Sequence, residues 1–256
     1  MKVGILAGGY GSRLAEETDI RPKPMVEIGG KPILWHIMKY YAQFGHDDFA
    51  VALGYKGEYI KRWWLDRIEM GDDMSIDMRT RKVVRHHTDG DCWKVRLVET
   101  GETTNTGGRI KRLIPHLADD GTFLLTWGDG VSTVDLDALV DFHKHHGKII
   151  TMTAVHPPSR FGHLDIEGDF IHTFTEKPQM AEGWINGAFF VCEPELIDFI
   201  EGDETQFEHE PLTTLAEKGE LVAYRHDGFW QCMDTLRDRR YLETLWQDGD
   251  APWRIW

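Results

Sequence analysis

The chain has 256 residues, 41% of them apolar, with a formal net charge of −14 and three cysteines. This length supports a sizeable core, while the acidic balance argues against nucleic acid or an anionic membrane surface as a partner. No stretch approaches the roughly 18 apolar residues of a membrane span, no basic n-region of a secretion signal opens the chain, and an odd cysteine count without metal-type spacing points to a reduced, cytoplasmic protein.

In chain order, the apolar runs Val3–Leu6, Phe49–Leu53, Thr122–Thr126 and Ile149–Val155 predict strands. Helical patterns at Pro32–Phe44, Glu58–Arg67 and Leu136–His146 lie between them. That alternation predicts βαβ units around a mixed, mainly parallel sheet flanked by helices. Ligands in such α/β folds bind beyond the carboxyl ends of the strands. Residues 70–105 break the pattern, with short strands expected at Ser75–Met78, Val83–His87 and Val95–Glu99. They predict a β-rich excursion over the mouth of the site. After Pro157, strands are expected at His163–Ile166, Phe170–Phe174 and Gly187–Cys192, then helices at Glu193–Ile200, Pro211–Lys218 and Leu236–Gln247. No linker rich in Gly, Ser or Pro divides the chain, so residues 1–256 are expected to form one domain.

The first strand runs into Leu6-Ala-Gly-Gly-Tyr-Gly-Ser-Arg-Leu14. Glycines there let backbone N–H groups approach phosphate oxygens that a Cβ would hold away. Arg13 adds a guanidinium able to grip those oxygens in a bidentate fork. Lys23, between Pro22 and Pro24, is a second cation on a stiffened backbone. Two rival motifs fail. Leu14 stands where a dinucleotide fingerprint needs its third glycine, and Gly30-Lys31 is followed by Pro32 instead of the P-loop hydroxyl.

Carboxylates beyond the predicted strands come next. Asp129, in Thr126-Trp-Gly-Asp-Gly130, reads either as a hard-cation ligand or as a turn residue bracing its own loop. Asp234 reads, on the residues alone, as an N-cap for the helix at Leu236. Thr103–Arg109 joins hydroxyls, glycines and a cation just before a helical stretch, where anions settle. Glu176-Lys177 reads as a solvated pair at a strand end, and Asn186-Gly187 as a turn. His143 and His146 lie one helical turn apart but lack a third ligand, which makes them surface histidines. Trp63-Trp64 and Trp184 are expected in core or subunit-interface packing.

Leu-Ala-Gly-Gly-x-Gly-Ser-Arg-Leu followed by Pro-Lys-Pro-Met at 22–25 resembles the sugar-1-phosphate nucleotidylyltransferases. Glu27–Lys39, Thr106-Gly-Gly-Arg109, Gly128-Asp-Gly-Val131, Glu176-Lys-Pro178, Ile185-Asn-Gly187 and Phe229–Arg237 narrow the resemblance to the branch joining CTP to glucose 1-phosphate. It extends over essentially the whole chain. The resemblance implies a Rossmann-like nucleotidyltransferase fold with sugar-binding insertions and a homo-oligomer. It implies Mg²⁺ on Asp129 and Asp234. The nucleotide would be held by Leu6, Ala7, Gly8, Gly9, Gly11, Ser12, Arg13, Lys23, Thr104, Arg109 and Gly128. Glu176, Lys177, Asn186 and Gly187 would hold the sugar phosphate. Lys23 would offset charge on the α-phosphoryl group and Arg13 on the β- and γ-phosphates, with Asp129 as the third catalytic position. Such transfer runs on positioning and electrostatics.

Two departures bear on specificity. The family commonly has Tyr where this chain has Trp127, and the loop at 102–105 also differs. UTP, dTTP or another hexose 1-phosphate is therefore the alternative within the same chemistry. The rival class is a non-catalytic sensing subunit, which would be free to lose the cations and carboxylates kept here. The aromatic tail Pro252-Trp-Arg-Ile-Trp256 is expected in an oligomer interface.

Overall fold

Val3, Ile5, Phe49, Val51, Leu53, Leu124, Phe189 and Val191 belong to one buried cluster, whereas Leu6, Ala50, Ala52, Phe123, Leu125, Phe190 and Cys192 belong to another. This period of two, apolar on both sides, is the mark of strands covered on both faces. The computed structural model describes residues 1–11, 14–71, 73–86, 90–157, 163–167, 170–175 and 183–256. Its strands are β1 (Lys2–Leu6), β2 (Glu27–Ile28), β3 (Lys31–Pro32), β4 (Asp48–Leu53), β5 (Asp73–Asp77), β6 (Lys82–His86), β7 (Lys94–Glu99), β8 (Phe123–Trp127), β9 (Gly130–Ser132), β10 (Ile150–Val155), β11 (His163–Glu167), β12 (Phe170–Thr175), β13 (Ile185–Cys192), β14 (Leu221–His226) and β15 (Trp230–Cys232). The α-helices are α1 (Ala15–Thr18), α2 (Ile33–Gln43), α3 (Gly57–Met70), α4 (Thr106–Leu117), α5 (Leu136–His146), α6 (Glu210–Glu217) and α7 (Leu236–Gln247).

Seven strands form one sheet in the order β14-β10-β13-β8-β1-β4-β7. Every neighbouring pair is parallel except the two made by β13, which runs antiparallel to β10 and β8. Buried side chains of α2, α5 and α7 cover one face, and those of α4 and α6 cover the other. The expected mixed, mainly parallel α/β sheet is present, and the four early strands begin within one residue of their predicted starts.

Three expectations need correction. The strand at Lys94–Glu99 is not part of an excursion: β7 pairs in parallel with β4 at the edge of the central sheet. The reason lies just before it. Asp91 accepts hydrogen bonds from Lys39 Nζ at 2.7 Å, Trp35 Nε1 at 2.7 Å and Arg67 Nη2 at 2.9 Å, which ties the start of β7 to α2 and α3. Of the three strands expected in the excursion, β5 and β6 alone leave the sheet, as an exposed antiparallel hairpin, and none of its described residues lines the cleft described below. The helix expected at Glu193–Ile200 is a 3₁₀ helix over Pro194–Phe199. Five strands were not expected. One is β14, which pairs in parallel with β10 at the far edge of the sheet. The others, β2, β3, β9 and β15, are at two or three residues too short to show alternation, β9 and β15 pairing with each other.

The third correction concerns the aromatic tail. Trp253 is fully buried in the core of its own chain, stacked on Phe229 at 5.7 Å, and Trp256 packs edge-on to Trp35. Trp63 and Trp64 also lean on this core. The tail is drawn in by His36, a fully buried histidine on α2 whose Nε2 bonds Ile28 O at 2.8 Å. With that proton on Nε2, Nδ1 is free to accept from Trp253 Nε1 at 3.4 Å. Burial drives the His36 pKa down from 6.5 to about 4, so the imidazole is neutral.

Trp253→Ala should destabilise the fold by roughly 3–5 kcal/mol, read by urea unfolding, because it empties a large core site. The unfolded chain protonates His36 before the folded chain does, so the stabilisation is complete above pH 6.5 and lost as pH falls through about 4. The loss attributable to this group is on the order of 3 kcal/mol. His36→Gln should flatten the pH dependence of stability over that window relative to wild type; equal slopes would remove His36 as its source.

Candidate active site

Because β1, β4 and β8 are parallel, the loops after all three leave from the same edge of the sheet. Backbone hydrogen bonds fasten these loops together: Ala7 N to Ala52 O at 3.1 Å, Tyr55 N to Gly8 O at 3.1 Å and Gly128 N to Leu6 O at 2.9 Å. Between them opens a cleft of about 410 Å³. Leu6, Ala7, Gly8, Gly9, Gly11, Lys23, Thr104, Arg109, Gly128, Asp129 and Asp234 all line it. Gly11 has φ of +63°, and a Cβ there would stand 2.8 Å from Thr18 Cγ2 and 3.0 Å from Lys23 Cβ. Only glycine satisfies both the backbone angle and the packing.

Two carboxylates meet in the wall of this cleft. The short pairing of β9 with β15 sets Gly130 opposite Cys232, and Met233 N donates to Asp129 O at 2.8 Å. Residues 129 and 234, distant in sequence, are thereby neighbours. Between their side chains sits Lys23, carried on a 3₁₀ turn (Lys23–Met25) whose Pro24 and Met25 are buried. Its Nζ donates to Asp129 Oδ2 at 2.6 Å and to Asp234 Oδ1 at 2.5 Å. Burial works against the ammonium, but the two carboxylates outweigh it and raise its pKa. The Cys232 thiol beside them is pushed up to about 12 by burial and then by the charge of Asp234 and Asp129.

The capping role for Asp234 falls. Thr235 is the N-cap of α7, with Asp238 N donating to Thr235 Oγ1 at 3.2 Å and Thr235 N to Asp238 Oδ2 at 2.8 Å. This reciprocal capping box satisfies the helix start by itself and leaves the Asp234 carboxylate facing Lys23. Asp129 likewise directs its carboxylate to a residue on another element. A shared cation between two carboxylates is a donor set suited to a hard divalent ion, which takes one or two carboxylates plus phosphate oxygens. Among the described residues, no group of three or more His, Cys, Asp and Glu side chains is placed to hold a metal by itself.

Arg109 is almost fully buried, and its guanidinium is a staple. Nη1 donates to Leu53 O, Thr100 Oγ1 and Gly101 O at 3.1, 2.7 and 2.8 Å, and Nη2 to Glu102 O at 3.1 Å. A Cβ on Gly8 would lie 2.2 Å from Nη1, so that glycine exists to let the staple close against the first loop. Two of the four N–H groups at the helix start expected to attract an anion are taken by protein carbonyls. Asn105 N donates to Asp203 O at 2.8 Å and Gly107 N to Thr205 O at 2.9 Å.

Asn186 and Gly187 do not line the cleft. They lie where the β10–β13 register slips, with Asn186 Oδ1 accepting from Ala188 N at 2.8 Å and Gly187 O from Trp230 Nε1 at 2.8 Å. Ser12, Arg13, Glu176 and Lys177 lie outside the described residues. The cleft adds Tyr10, Pro24, Thr103, Asn105, Thr106 and Trp127 to the expected set. Tyr10 stood inside the glycine motif and could have been marked as an aromatic at its rim. Trp127 stacks on Phe190 at 4.9 Å. His143, expected at the surface, is buried, bonding Thr151 Oγ1 at 2.8 Å and Glu193 Oε1 at 3.0 Å. It braces α5 against β10.

A glycine loop after the first strand of a mainly parallel sheet, facing a lysine and two carboxylates, matches what sequence comparison returns. The nucleotidyl transferase family model fits residues 2–248, and the chain belongs to that family. It is 52% identical over 256 residues to a glucose-1-phosphate cytidylyltransferase of Salmonella typhi, with 100% of both chains covered. It is 42% identical over 257 residues to a probable glucose-1-phosphate cytidylyltransferase of Bacillus subtilis strain 168, again over 100% of both. The crystal structure of HddC from Yersinia pseudotuberculosis shares the fold, with a TM-score of 0.71 at 24% identity over 96% of this chain and 99% of that one.

Thr235→Ala should cost about 1 kcal/mol of stability, as loss of an N-cap does. In the same denaturation assay, Asp234→Asn should cost nothing further in a Lys23→Met background, where its ion pair is already absent; a further loss matching that of Thr235→Ala would return Asp234 to a capping role.

Proposed function

We infer that this chain transfers a cytidylyl group from CTP to glucose 1-phosphate, giving CDP-glucose and pyrophosphate. Convergence of Lys23, Asp129 and Asp234 on a glycine-walled cleft carries the chemistry. Relatives at 52% identity over the full length carry the choice of substrates. A sugar-phosphate oxygen attacks the α-phosphorus, a new P–O bond forms, and the bond to the β-phosphate bridging oxygen breaks. That nucleophile is already anionic near neutral pH, so no general base is needed. The task is to hold two polyanions together and stabilise charge on the reacting phosphoryl group.

In this reading the amides of residues 8–11 cradle the triphosphate. Lys23 offsets charge developing at the α-phosphoryl oxygens, and Arg13 that on the β- and γ-phosphates. Asp129 and Asp234 hold Mg²⁺, which when bound supplies positive charge to the phosphate oxygens. Arg109 acts from the wall, fixing the loop at 100–105 that carries Thr103 and Thr104 toward the base. Glu176 and Lys177 take the sugar phosphate, Lys177 its phosphate and Glu176 its hydroxyls, with Asn186 and Gly187 beside them. We further place the 256-residue unit in the cytoplasm as a homo-oligomer, in keeping with its three free thiols. No helix among the described residues is long and apolar enough to cross a membrane.

The test is pyrophosphate release with Mg²⁺, crossing CTP, UTP and dTTP with several hexose 1-phosphates. Turnover should be confined to CTP with glucose 1-phosphate. Another productive pair would move the specificity, and silence from folded protein would favour the sensing-subunit reading. Asp129→Asn and Asp234→Asn should each lower kcat on the order of 10²–10³-fold. Lys177→Ala should raise KM for glucose 1-phosphate and leave that for CTP alone; an unchanged sugar-phosphate KM would reassign the lysine.

A further inference from the structure

The Lys23 ammonium bonds both carboxylates at once, at 2.6 and 2.5 Å. A divalent ion shared by the same two oxygens would sit about 2.1 Å from each, and no room remains for Nζ beside it. Ammonium and metal are therefore alternatives. The backbone of Lys23 cannot retreat, because Pro24 and Met25 are buried in the 3₁₀ turn. Its four-carbon stem can, and the residue lines the open cleft in which the triphosphate is read to lie. We propose that Lys23 is a built-in placeholder cation, which holds the Asp129–Asp234 pair when no nucleotide is present and leaves it for the triphosphate oxygens when the metal enters.

Three physical consequences support this assignment. Two neighbouring carboxylates in a partly buried wall repel each other unless a cation is shared between them, and their side chains are only 25% and 20% exposed. Lys23 keeps the pair assembled in the nucleotide-free protein. A metal arriving alone must break an intramolecular ion pair and leave the ammonium without a partner. A metal arriving with a nucleotide brings the anion that Lys23 needs, so the exchange keeps every charge paired. The same residue thus couples metal affinity to nucleotide affinity, a positioning role separate from stabilising the reacting phosphoryl group. The proposal rests on the functional reading in taking these carboxylates as the metal ligands and the cleft as the seat of the triphosphate.

The experiment measures Mn²⁺ binding to nucleotide-free protein by electron paramagnetic resonance and calorimetry. Lys23→Met should bind Mn²⁺ at least tenfold more tightly than wild type, and Lys23→Met with Asp234→Asn should lose that gain. Equal or weaker binding by Lys23→Met overturns the proposal. If the double variant keeps the tight binding, the metal lies elsewhere and the ligand assignment fails as well. If Asp234→Asn abolishes wild-type binding while Lys23→Met changes nothing, the ligands stand and the placeholder role alone falls. A wild-type arm covers a variant that does not fold. Acylation of Lys23, followed by mass spectrometry, should speed up at saturating Mn²⁺, and an unchanged rate would show that the ammonium is not displaced.

Discussion

The glycine-walled cleft hangs from β1, a strand with apolar contacts on both faces and a parallel neighbour on each edge. Its carboxyl end has nowhere to go but out of the sheet, beside the ends of β4 and β8. Three loops that are remote in sequence therefore begin within hydrogen-bond reach of one another. Arg109 then fixes their spacing, since its guanidinium fills the volume left by the missing side chain of Gly8 and bonds the end of β4 and the loop at 100–102. The glycines do more than admit a phosphate. At least one is glycine because a buried arginine lies against it.

An acidic chain that handles polyanions has to solve its electrostatics locally. With a net charge of −14, long-range repulsion works against the approach of CTP and glucose 1-phosphate. The answer is a cleft in which one lysine is matched to two carboxylates and a buried arginine is matched to carbonyls and a hydroxyl. These interactions are short-ranged and weakly screened because the groups are partly buried. Affinity is then decided after entry, by exchange of partners.

The central strands and the first loop were legible in the sequence because continuous apolar runs and glycine spacing are local signals. The same holds for α5 and α7, whose predicted and observed bounds coincide. What escaped was non-local. β9 and β15 are three residues each and carry no periodicity; they exist because they find each other across a hundred residues. Membership of β7 in the sheet depends on Asp91 reaching Lys39 and Arg67. The burial of Trp253 depends on a neutral His36. Arg109 was not legible as a staple, because most of its partners are backbone carbonyls, which every sequence contains.

The strand pairing that joins Asp129 to Asp234 has a consequence for synthesis. Lys23, Asp129 and most of the sheet precede β14, β15 and residue 234, which come only in the last seventh or so of the described chain. A nascent chain stopped at residue 229 would hold the lysine and one carboxylate, with β9 unpaired and Asp234 missing. Until that strand pairs, the wall of the cleft carries Asp129 and lacks Asp234. The two carboxylates are thus brought together only when β15 pairs with β9, a contact that spans a hundred residues.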